Sequence, residues 1–327
     1  MEKIIDPVPV ELIKAELTPD KKICNTNKGG NEVYTVTWHD APNTVREIGR
    51  LREEAFRAEG GCSGLACDLD EFDTMEVPYH QMLVWDPDQE AILGGYRYIL
   101  GPEIKFNEDG QPHLATAHMF RFSDDFITNY LPRTAELGRS FVSLGYQSSK
   151  SGAKAIYALD NLWDGLTAVL ILHPQMVYLF GKMTMYPHLD KATHDLILHF
   201  LWKHYGDKDE LVRPIEPIMP ATDPRLLDMI LTENDFKSDY RLLKEAVKKL
   251  GSKIPPLVNT YMSTSPSMLM FGTGPNHEFG EVDETAFLID FDNMYSDKKD
   301  RHVESFLRQK FESIKKRHFG GSKSNPH

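Results

Sequence analysis

The sequence predicts a mixed α/β fold, built as one elaborated domain around a single sheet. A length of 327 residues could hold two domains, but 41% hydrophobic and 10% aromatic content suits one large core with insertions equally well. Helix-like and strand-like patterns alternate along the chain, and one pair of strands is joined by a tight turn. This order of elements predicts a sheet that carries helices.

The first regular elements follow a polar N-terminal arm at 1–40 that shows little periodicity. In NTVREIGRLREEAFRAEGG, apolar residues recur near helical spacing at Val45, Ile48, Leu51 and Phe56. Asn43 or Thr44 is the expected N-cap of this helix, and glycines end it. The stretch YHQMLVWDPDQEAILGGYRYILG predicts two strands joined at the turn DPDQ, which is a β-hairpin. A long strand is predicted next, at about 136–143.

The second half of the chain alternates in the same way. SGAKAIYALDNLWDGLTAVLILHP predicts a helix that Pro174 ends, followed by a strand at 176–185. HDLILHFLWKHYG and DYRLLKEAVKKLG predict amphipathic helices within a helical insertion at about 190–252. IPPLVNTYMSTSPSMLMFGTG predicts a short helix that leads to a strand, and ETAFLIDFDNM predicts the final strand. The main domain is therefore expected to cover 41–295.

Composition argues against several classes of protein. A formal charge of -12 and a pI near 5.5 oppose sequence-independent binding to nucleic acid, which needs a basic surface. The chain opens without a charged-then-apolar leader, and its apolar runs fall short of about 20 residues, so a cytoplasmic location is expected. The spacing of the cysteines in CSGLAC does not match zinc or redox pairs, which predicts thiols without a metal or disulfide role.

Two charges stand in an otherwise apolar strand. In AELGRSFVSLGYQ, Glu136 and Arg139 are three residues apart, so the alternation of a strand predicts that they face opposite sides of the sheet. An unpaired charge buried beside Phe141 and Val142 is costly, so each needs a partner from another element. Arg97, in GGYRYIL on a neighbouring strand, could pair with Glu136 or with an aspartate. The charges are either structural ion pairs or part of a site.

Seven sequence blocks accompany this strand and carry a resemblance. They are REEAF (52–56), DLDEFD (68–73), LGGYRYI (93–99), ELGRSFV (136–142), LDNLWDGL (159–166), YLFGKMTM (178–185) and PPLVNTYM (255–262). In their order and spacing the chain resembles the ornithine- and glycine-lipid N-acyltransferases, often labelled hemolysin-like, of the GNAT superfamily. These are relatives of the acyl-homoserine lactone synthases, and the blocks look closest to the glycine-lipid synthases. The resemblance implies a mostly antiparallel central sheet flanked by helices, with a splayed central strand pair.

The resemblance implies an acyl-thioester donor in the gap between the splayed strands. Backbone N–H groups of the strand with Phe141, Val142 and Ser143 would hold the thioester oxygen and the pantetheine amides. GNAT enzymes that use coenzyme A generally carry Q/RxxGxG/A after this strand, whereas here QSSKSGA places Lys150 at the first glycine. That departure suits acyl carrier protein, which carries one phosphate, more than acyl-coenzyme A. Lys150 would contact that phosphate or the carrier, or simply solvate a loop.

The resemblance also implies an acceptor site for a small amino acid, with glycine expected first and ornithine next. Acyl transfer needs a neutral amine, a polarised carbonyl and a route for the proton. Glu136 would take that proton, directly or through water, and Tyr261 would position the amine or protonate the leaving thiolate. The residues expected to bind or order the acceptor are Arg52, Asp70, Asp73, Arg97 and Arg139. Neither a metal nor a tightly bound cofactor is expected.

The C-terminal segment, 296–327, differs from the acidic body. Its apolar residues follow helical spacing at Val303, Leu307, Phe311 and Ile314, and lysines and arginines fill much of the remainder. This pattern predicts a basic amphipathic helix. Such a helix could lie on the anionic inner membrane, meet acidic acyl carrier protein, or pack on the domain with a solvated basic face.

Two other functions stay open at the level of the sequence. One is an acyl-homoserine lactone-type synthase, which would use S-adenosylmethionine, although LDNLWDGL and PPLVNTYM fit the lipid enzymes better. The other is a non-catalytic, lipid- or membrane-binding hemolysin-like protein, although an acidic chain without spans argues against a pore. HYGDKD has the HxxxxD spacing of glycerolipid acyltransferases and DLDEFD resembles part of a calcium loop, but each lacks the flanking residues it requires.

Overall fold

The computed structural model describes residues 1–147 and 157–319, and its centre is a mixed sheet. The strands are β1 (Lys22–Asn25), β2 (Glu32–Val36), β3 (His80–Asp86), β4 (Ala91–Leu100), β5 (Phe120–Phe122), β6 (Thr134–Val142), β7 (Tyr178–Met185), β8 (Val212–Pro214), β9 (Leu269–Asn276) and β10 (Val282–Asp290). Eight of them form one sheet in the order β1-β2-β3-β4-β6-β7-β10-β9, and β5 pairs with β8. Among the described residues, the β6–β7 pair is parallel and every other pair of the large sheet is antiparallel.

Helices lie on both faces of the sheet. They are α1 (Val10–Glu16), α2 (Pro42–Glu59), α3 (Glu71–Thr74), α4 (Ala158–Leu172), α5 (Lys191–Tyr205), α6 (Pro224–Asp228), α7 (Phe236–Lys249), α8 (Pro256–Met262) and α9 (Ser296–Phe319). The mixed, mostly antiparallel sheet flanked by helices is confirmed, and the predicted hairpin is the β3–β4 pair. Within the described residues, no helix is long and apolar enough to cross a membrane.

The first 40 residues contribute more than the predicted arm. Residue Glu32 of β2 pairs with Trp85 of β3, and the two strands stay in register as far as Val36 and Gln81. β1 then pairs with β2 and forms one edge of the sheet. Strands of four and five residues are too short for periodicity to detect, which explains why the sequence analysis missed them.

The start of α2 is capped from another element. The predicted caps, Asn43 and Thr44, lie inside the helix, which begins at Pro42. Their backbone N–H groups donate to the carboxylate of Glu16, at the end of α1, over 3.1 and 2.7 Å. The N-cap prediction was therefore wrong, because a distant carboxylate satisfies the free N–H groups of the first turn. Gly60, with a φ of 90°, ends the helix as predicted.

Alternation along β3 separates the core into two layers. Met82 and Val84 belong to the apolar cluster that contains Leu162 and Leu166 of α4. Leu83, on the other face, packs in the cluster formed with α2. Each fully buried side chain of this kind contributes about 1.5–3 kcal/mol to folding. The layers define an α2 face and an α4 face of the sheet, which are the terms used below.

The parallel strands β6 and β7 stay paired over only three residues. Thr134, Ala135 and Glu136 pair with Tyr178, Leu179 and Phe180, and beyond Glu136 the two strands separate. β7 remains fully paired with β10 on its other side. The predicted splay of the central strands is therefore confirmed, and it opens a slot in the sheet that begins immediately after Glu136.

Candidate active site

A cavity of about 1140 Å³ occupies the slot and reaches both faces of the sheet. That volume exceeds the roughly 300–1,000 Å³ of an ordinary ligand pocket, so it has room for two substrates. Side chains from the α2 face that line it include Arg97, Glu136, Arg139, Lys182 and Glu284. Side chains from the α4 face include Tyr96, Leu137, Met183, Tyr261 and Phe287.

A β-bulge in β6 determines where its charges lie. Arg97 pairs with Gly138 and Gly95 pairs with Phe141, so three steps on β6 match two on β4. Arg139, inside the bulge, has a φ of 49°. The extra residue resets the alternation, so Arg139 faces the same way as Phe141, towards α2. The prediction that Glu136 and Arg139 occupy opposite faces was wrong, because both lie on the α2 face.

Glycines in β4 permit this close packing of the bulged strand. A Cβ on Gly94 would lie 2.4 Å from the carbonyl oxygen of Phe141, and a Cβ on Gly95 would lie 2.5 Å from that of Met82. Neither contact is sterically possible, so both positions require glycine. Arg139 itself adopts a left-handed conformation that costs a non-glycine residue about 1–3 kcal/mol. Strain of this kind concentrates at functional sites.

Three arginines and three aspartates interlock on the α2 face. Arg52 pairs with Asp73 at 2.9 Å and with Asp68 at 3.2 Å, and Arg97 pairs with Asp73 at 3.2 Å. Two further pairs join Arg97 to Asp70 at 2.7 Å and Arg139 to Asp68 at 3.0 Å. The cluster carries no net charge, and its aspartates all come from DLDEFD. Each of these three carboxylates therefore contacts at least one guanidinium group.

Asp73 is the centre of this cluster. Its carboxylate also accepts hydrogen bonds from Gln81 at 2.9 Å and from the backbone N–H of Asp70 at 3.0 Å. Burial alone would raise the pKa of Asp73, but Arg52 and Arg97 outweigh burial and hold that pKa well below its usual range. Arg52 and Asp73 do not line the cavity. They hold Arg97 and Asp70, which do.

Glu136 lies beside the cluster and begins the slot. It is 1% exposed, and its Oε2 accepts a hydrogen bond from the hydroxyl of Tyr79. Burial raises the pKa of Glu136 above its usual value, which Tyr79 only partly offsets. Within the described residues, Glu136 Oε1 and Arg97 Nε are buried without a hydrogen-bond partner. A buried acceptor and a buried donor at one cavity wall suit a ligand that carries both kinds of group.

A second charged group lies across the slot, and the sequence analysis missed it. Lys182 of β7 pairs with Glu284 of β10, which also accepts from Asn276 at 3.1 Å. Burial would raise the pKa of Glu284, but Lys182 outweighs it and the pKa is lowered. His118 also lines this wall, and burial followed by Lys182 lowers its pKa. In the sequence, Lys182 lies in the block YLFGKMTM and Glu284 begins the predicted strand ETAFLIDFDNM, but neither stretch shows that the two side chains meet.

Two buried tyrosines lie among the apolar side chains on the α4 face of the cavity. The hydroxyls of Tyr96 and Tyr261 lie 3.1 Å apart, and burial raises the pKa of Tyr261 well above its usual value. Tyr261 therefore keeps its proton at neutral pH. Leu257 precedes it by one turn of α8 and also lines the cavity.

Comparison with known proteins decides the family. Residues 51–156 match the Acetyltransferase (GNAT) domain. A glycine N(alpha)-acyltransferase of Phocaeicola vulgatus is 54% identical over 315 residues, 96% of this chain and 97% of the relative. One from Bacteroides thetaiotaomicron is 54% identical over 96% of this chain and 94% of the relative. This chain belongs to the GNAT N-acyltransferases. No solved structure matches it significantly.

The slot of this GNAT acyltransferase contains some of the residues predicted to bind the donor. Phe141 and Val142 line the cavity. Ser143 does not, because its backbone N–H donates to Leu93 at 2.9 Å and its hydroxyl donates to Ile92 at 2.7 Å. Both donors of Ser143 are thus committed to β4. Lys150 lies outside the described residues.

One edge of β6 is free to pair with a ligand in the slot. Beyond Glu136, β6 pairs with β4 on one side and faces the slot on the other. In an antiparallel pair, alternate residues direct their N–H and C=O groups away from the partner strand. Such groups between Leu137 and Val142 therefore face the slot, where an amide-containing ligand can pair with them.

Proposed function

We propose that this acyltransferase moves a fatty acyl group, 3-hydroxyacyl chains included, from acyl carrier protein to the amine of glycine, in aminolipid biosynthesis. One observation carries the proposal: the cavity at the slot joins a charged wall on the α2 face to an apolar wall on the α4 face. The names of the relatives support glycine as the acceptor. We place the enzyme in the cytoplasm.

The α2 face suits an amino acid as acceptor. The charges of the arginine–aspartate cluster are balanced, as are those of the Lys182–Glu284 pair. Glu136 is buried at the start of the slot and its Oε1 has no hydrogen-bond partner among the described residues, so it is the carboxylate proposed to receive the ammonium group. Arg97, with a free buried Nε, or Arg139, which is 18% exposed, would bind the acceptor carboxylate. Arg52, Asp70 and Asp73 would hold these arginines in place.

The α4 face suits the acyl chain. An apolar wall is formed there by Leu137, Met183, Phe287 and Leu257. Moving the acyl chain from water to this wall is favourable because its apolar surface is buried. The pantetheine arm would run along the free edge of β6, past Phe141 and Val142, where backbone groups pair with its amides. Acyl carrier protein is preferred to acyl-coenzyme A because QSSKSGA lacks the glycine pattern of a pyrophosphate site.

The reaction would take place where the two substrates meet in the slot. The bound ammonium loses a proton to Glu136, directly or through water, and the amine nitrogen attacks the thioester carbonyl carbon. Backbone N–H groups of β6 stabilise the charge that develops on the carbonyl oxygen. The C–S bond breaks and the sulfur takes a proton from Tyr261. The nitrogen gives up its second proton, which reaches the phenolate through water, and Glu136 returns its proton to solvent. The products are N-acylglycine and the free thiol of the carrier.

The test is turnover of purified Glu136→Gln and Arg139→Ala with acyl carrier protein thioester and glycine. We expect kcat of the first variant to fall by about 100- to 10,000-fold. We expect the second chiefly to raise KM for glycine. Glu103→Gln is the matched control, because Glu103 is a half-buried carboxylate outside the cavity. Unchanged turnover in both variants would show that neither residue belongs to the site. If the enzyme used acyl-coenzyme A but not the acyl carrier protein thioester, acyl-coenzyme A would be the donor instead.

A further inference from the structure

One face of the C-terminal helix α9 is fixed to the body of the protein. His302 and Phe306 are buried, and His302 Nδ1 lies 2.5 Å from a carboxylate oxygen of Asp164 in α4. Gln309 holds Asn25 of β1 at two points, accepting from its N–H at 2.8 Å and donating to its carbonyl at 2.9 Å. These contacts on successive turns fix the rotation of the helix about its axis.

The fixed rotation turns large apolar side chains outward. Leu307 is 52% exposed and Phe311 is 73% exposed, and they lie one above the other at i and i+4 spacing. Phe306 packs on the domain, whereas Leu307 and Phe311 of the predicted apolar stripe do not. From 311 to 315 every residue is exposed, so this turn and a half of helix extends beyond the body.

The exposed face belongs to the basic part of an acidic protein. Residues 296–327 hold nine Lys and Arg against four Asp and Glu, a net charge of +5, so the rest of the chain carries -17 of the total of -12. Arg308 and Lys315 are exposed beside the apolar stripe. A helix with this composition and exposed Leu and Phe has the pattern of helices that lie in a membrane interface.

The first turns of α9 contact α4, which also contributes to the cavity wall. Arg301 pairs with Asp160, and the residue before Asp160 is Leu159, which lines the cavity while remaining 36% exposed. A surface on which α9 rests would therefore also be near α4, the helix that gives the α4 face its name. The acyl chain is expected on that face.

We propose that the outward face of α9 binds an anionic lipid bilayer, with Leu307 and Phe311 inserted at the interface and Arg308 and Lys315 at the headgroups. An acidic protein partner would pair with the lysines and arginines, but it would not explain why two large apolar side chains are exposed near the end of the helix. A role of this binding in product release rests on the proposed function, because only an acylated product would need a nearby bilayer. The binding of α9 to the bilayer does not depend on that function.

The experiment is sedimentation of the full chain with vesicles of phosphatidylglycerol and phosphatidylcholine, or of phosphatidylcholine alone, without substrates. We expect binding to the anionic vesicles that weakens as salt is added. Leu307→Ser with Phe311→Ser should weaken it by about ten-fold or more. Glu304→Ser with Glu312→Ser, two exposed positions on the same helix, is the matched control and should bind at least as tightly as the wild type.

Thermal unfolding of each variant establishes that the fold is intact. Failure of the wild type to sediment with anionic vesicles would overturn the inference, as would unaltered binding by the Leu307 and Phe311 variant. A rise in KM for acyl carrier protein in that variant, with vesicle binding retained, would assign the face to the carrier instead. Because no turnover is measured with the vesicles, an enzyme inactive on glycine could still bind them, so the two proposals fail independently.

Discussion

The two faces of the sheet meet the same cavity with opposite chemistry. On the α2 face, Arg97, Arg139 and Lys182 stand with their carboxylate partners around Glu136. On the α4 face, aliphatic and aromatic side chains surround the Tyr96–Tyr261 hydroxyl pair. A continuous sheet would keep these environments apart. The separation of β6 and β7 joins them, so a charged acceptor and an apolar chain can meet while each stays in a suitable environment.

The comparison also distinguishes what stabilises each face. On the α4 face, the burial of apolar side chains stabilises the fold and does not require charged partners. On the α2 face, the desolvation of six charged groups roughly cancels their mutual attraction, so the cluster adds little net stability while each partner depends on the others. We infer that the cluster serves to hold Arg97 and Arg139 at the cavity wall. Removing one charged member should therefore lower the free energy of unfolding considerably, although the complete cluster contributes little to it.

The largest expected effect tests that dependence. Asp73→Asn removes the carboxylate that Arg52 and Arg97 share, and we expect a loss of about 3–5 kcal/mol in the free energy of unfolding at pH 7. Its low pKa means that its contribution is present above the ordinary value of 3.8 and is lost only as pH falls through the lower folded value. Urea denaturation gives the measurement.

Asp70→Asn provides the control for this prediction. Asp70 pairs with Arg97 at 2.7 Å but its side chain is 31% exposed, so water can replace much of what is lost. We expect a cost of about 1 kcal/mol or less. Equal costs for Asp70→Asn and Asp73→Asn would show that burial does not distinguish the members of the cluster, contrary to this account.

The next effect concerns the polar group of the apolar face. Tyr261→Phe removes the hydroxyl proposed to protonate the leaving sulfur, and we expect kcat to fall by about 100-fold with KM for glycine little changed. Tyr205→Phe is the control, since this buried tyrosine donates to the carbonyl of Met262 and does not line the cavity. A fall in kcat of similar size in both variants would indicate a structural effect.

A smaller effect should appear in chain-length preference. Leu257→Trp narrows the cavity on the α4 face, so we expect kcat/KM to fall about ten-fold for a long acyl donor and to be retained for a short one. Leu172→Trp adds the same bulk at an exposed position outside the cavity and should alter neither. If Leu257→Trp instead raised KM for glycine alone, the acyl chain and the acceptor would have to exchange faces.

The smallest expected effect is a gain in stability. Burial raises the pKa of Glu136 above its ordinary value of 4.5, so its contribution favours folding below pH 4.5 and is lost as pH rises through the folded value. At pH 8 the wild type buries a carboxylate, whereas Glu136→Gln does not. We expect the variant to melt at a higher temperature at pH 8, with the difference shrinking towards pH 5. A lower melting temperature at pH 8 would contradict the buried, partly unsatisfied carboxylate described above.

The site could be predicted from the sequence where its residues fall within compact blocks. Glu136, Arg97, Arg139 and Asp70 were identified in this way, and all four line the cavity. Their partners were also expected to come from other elements, as Tyr79 and Asp68 do. The predicted face of the sheet for Arg139 was wrong, because strict alternation of side chains holds only in a strand without a bulge. The adjacent glycines of LGGYRYI were the signal for that irregularity.

Other parts of the site depend on pairing between distant strands. Lys182 and Glu284 come together only because β7 and β10 pair in one register, and no local pattern fixes that register. The amphipathic spacing of α9 correctly predicted a helix with an apolar stripe. The spacing could not indicate which side of the helix packs on the rest of the protein. Periodicity identifies an apolar face but does not show what contacts that face.

The central claim is that donor and acceptor approach the slot from opposite faces of the sheet. A crystal structure with glycine and a non-hydrolysable acyl-pantetheine analogue tests it most directly. We predict the pantetheine arm between β6 and β7, the acyl chain against Leu257 and Tyr261, and the glycine nitrogen beside Glu136. An acyl chain lying on the α2 face among the arginines, or glycine bound away from Glu136, would contradict the account.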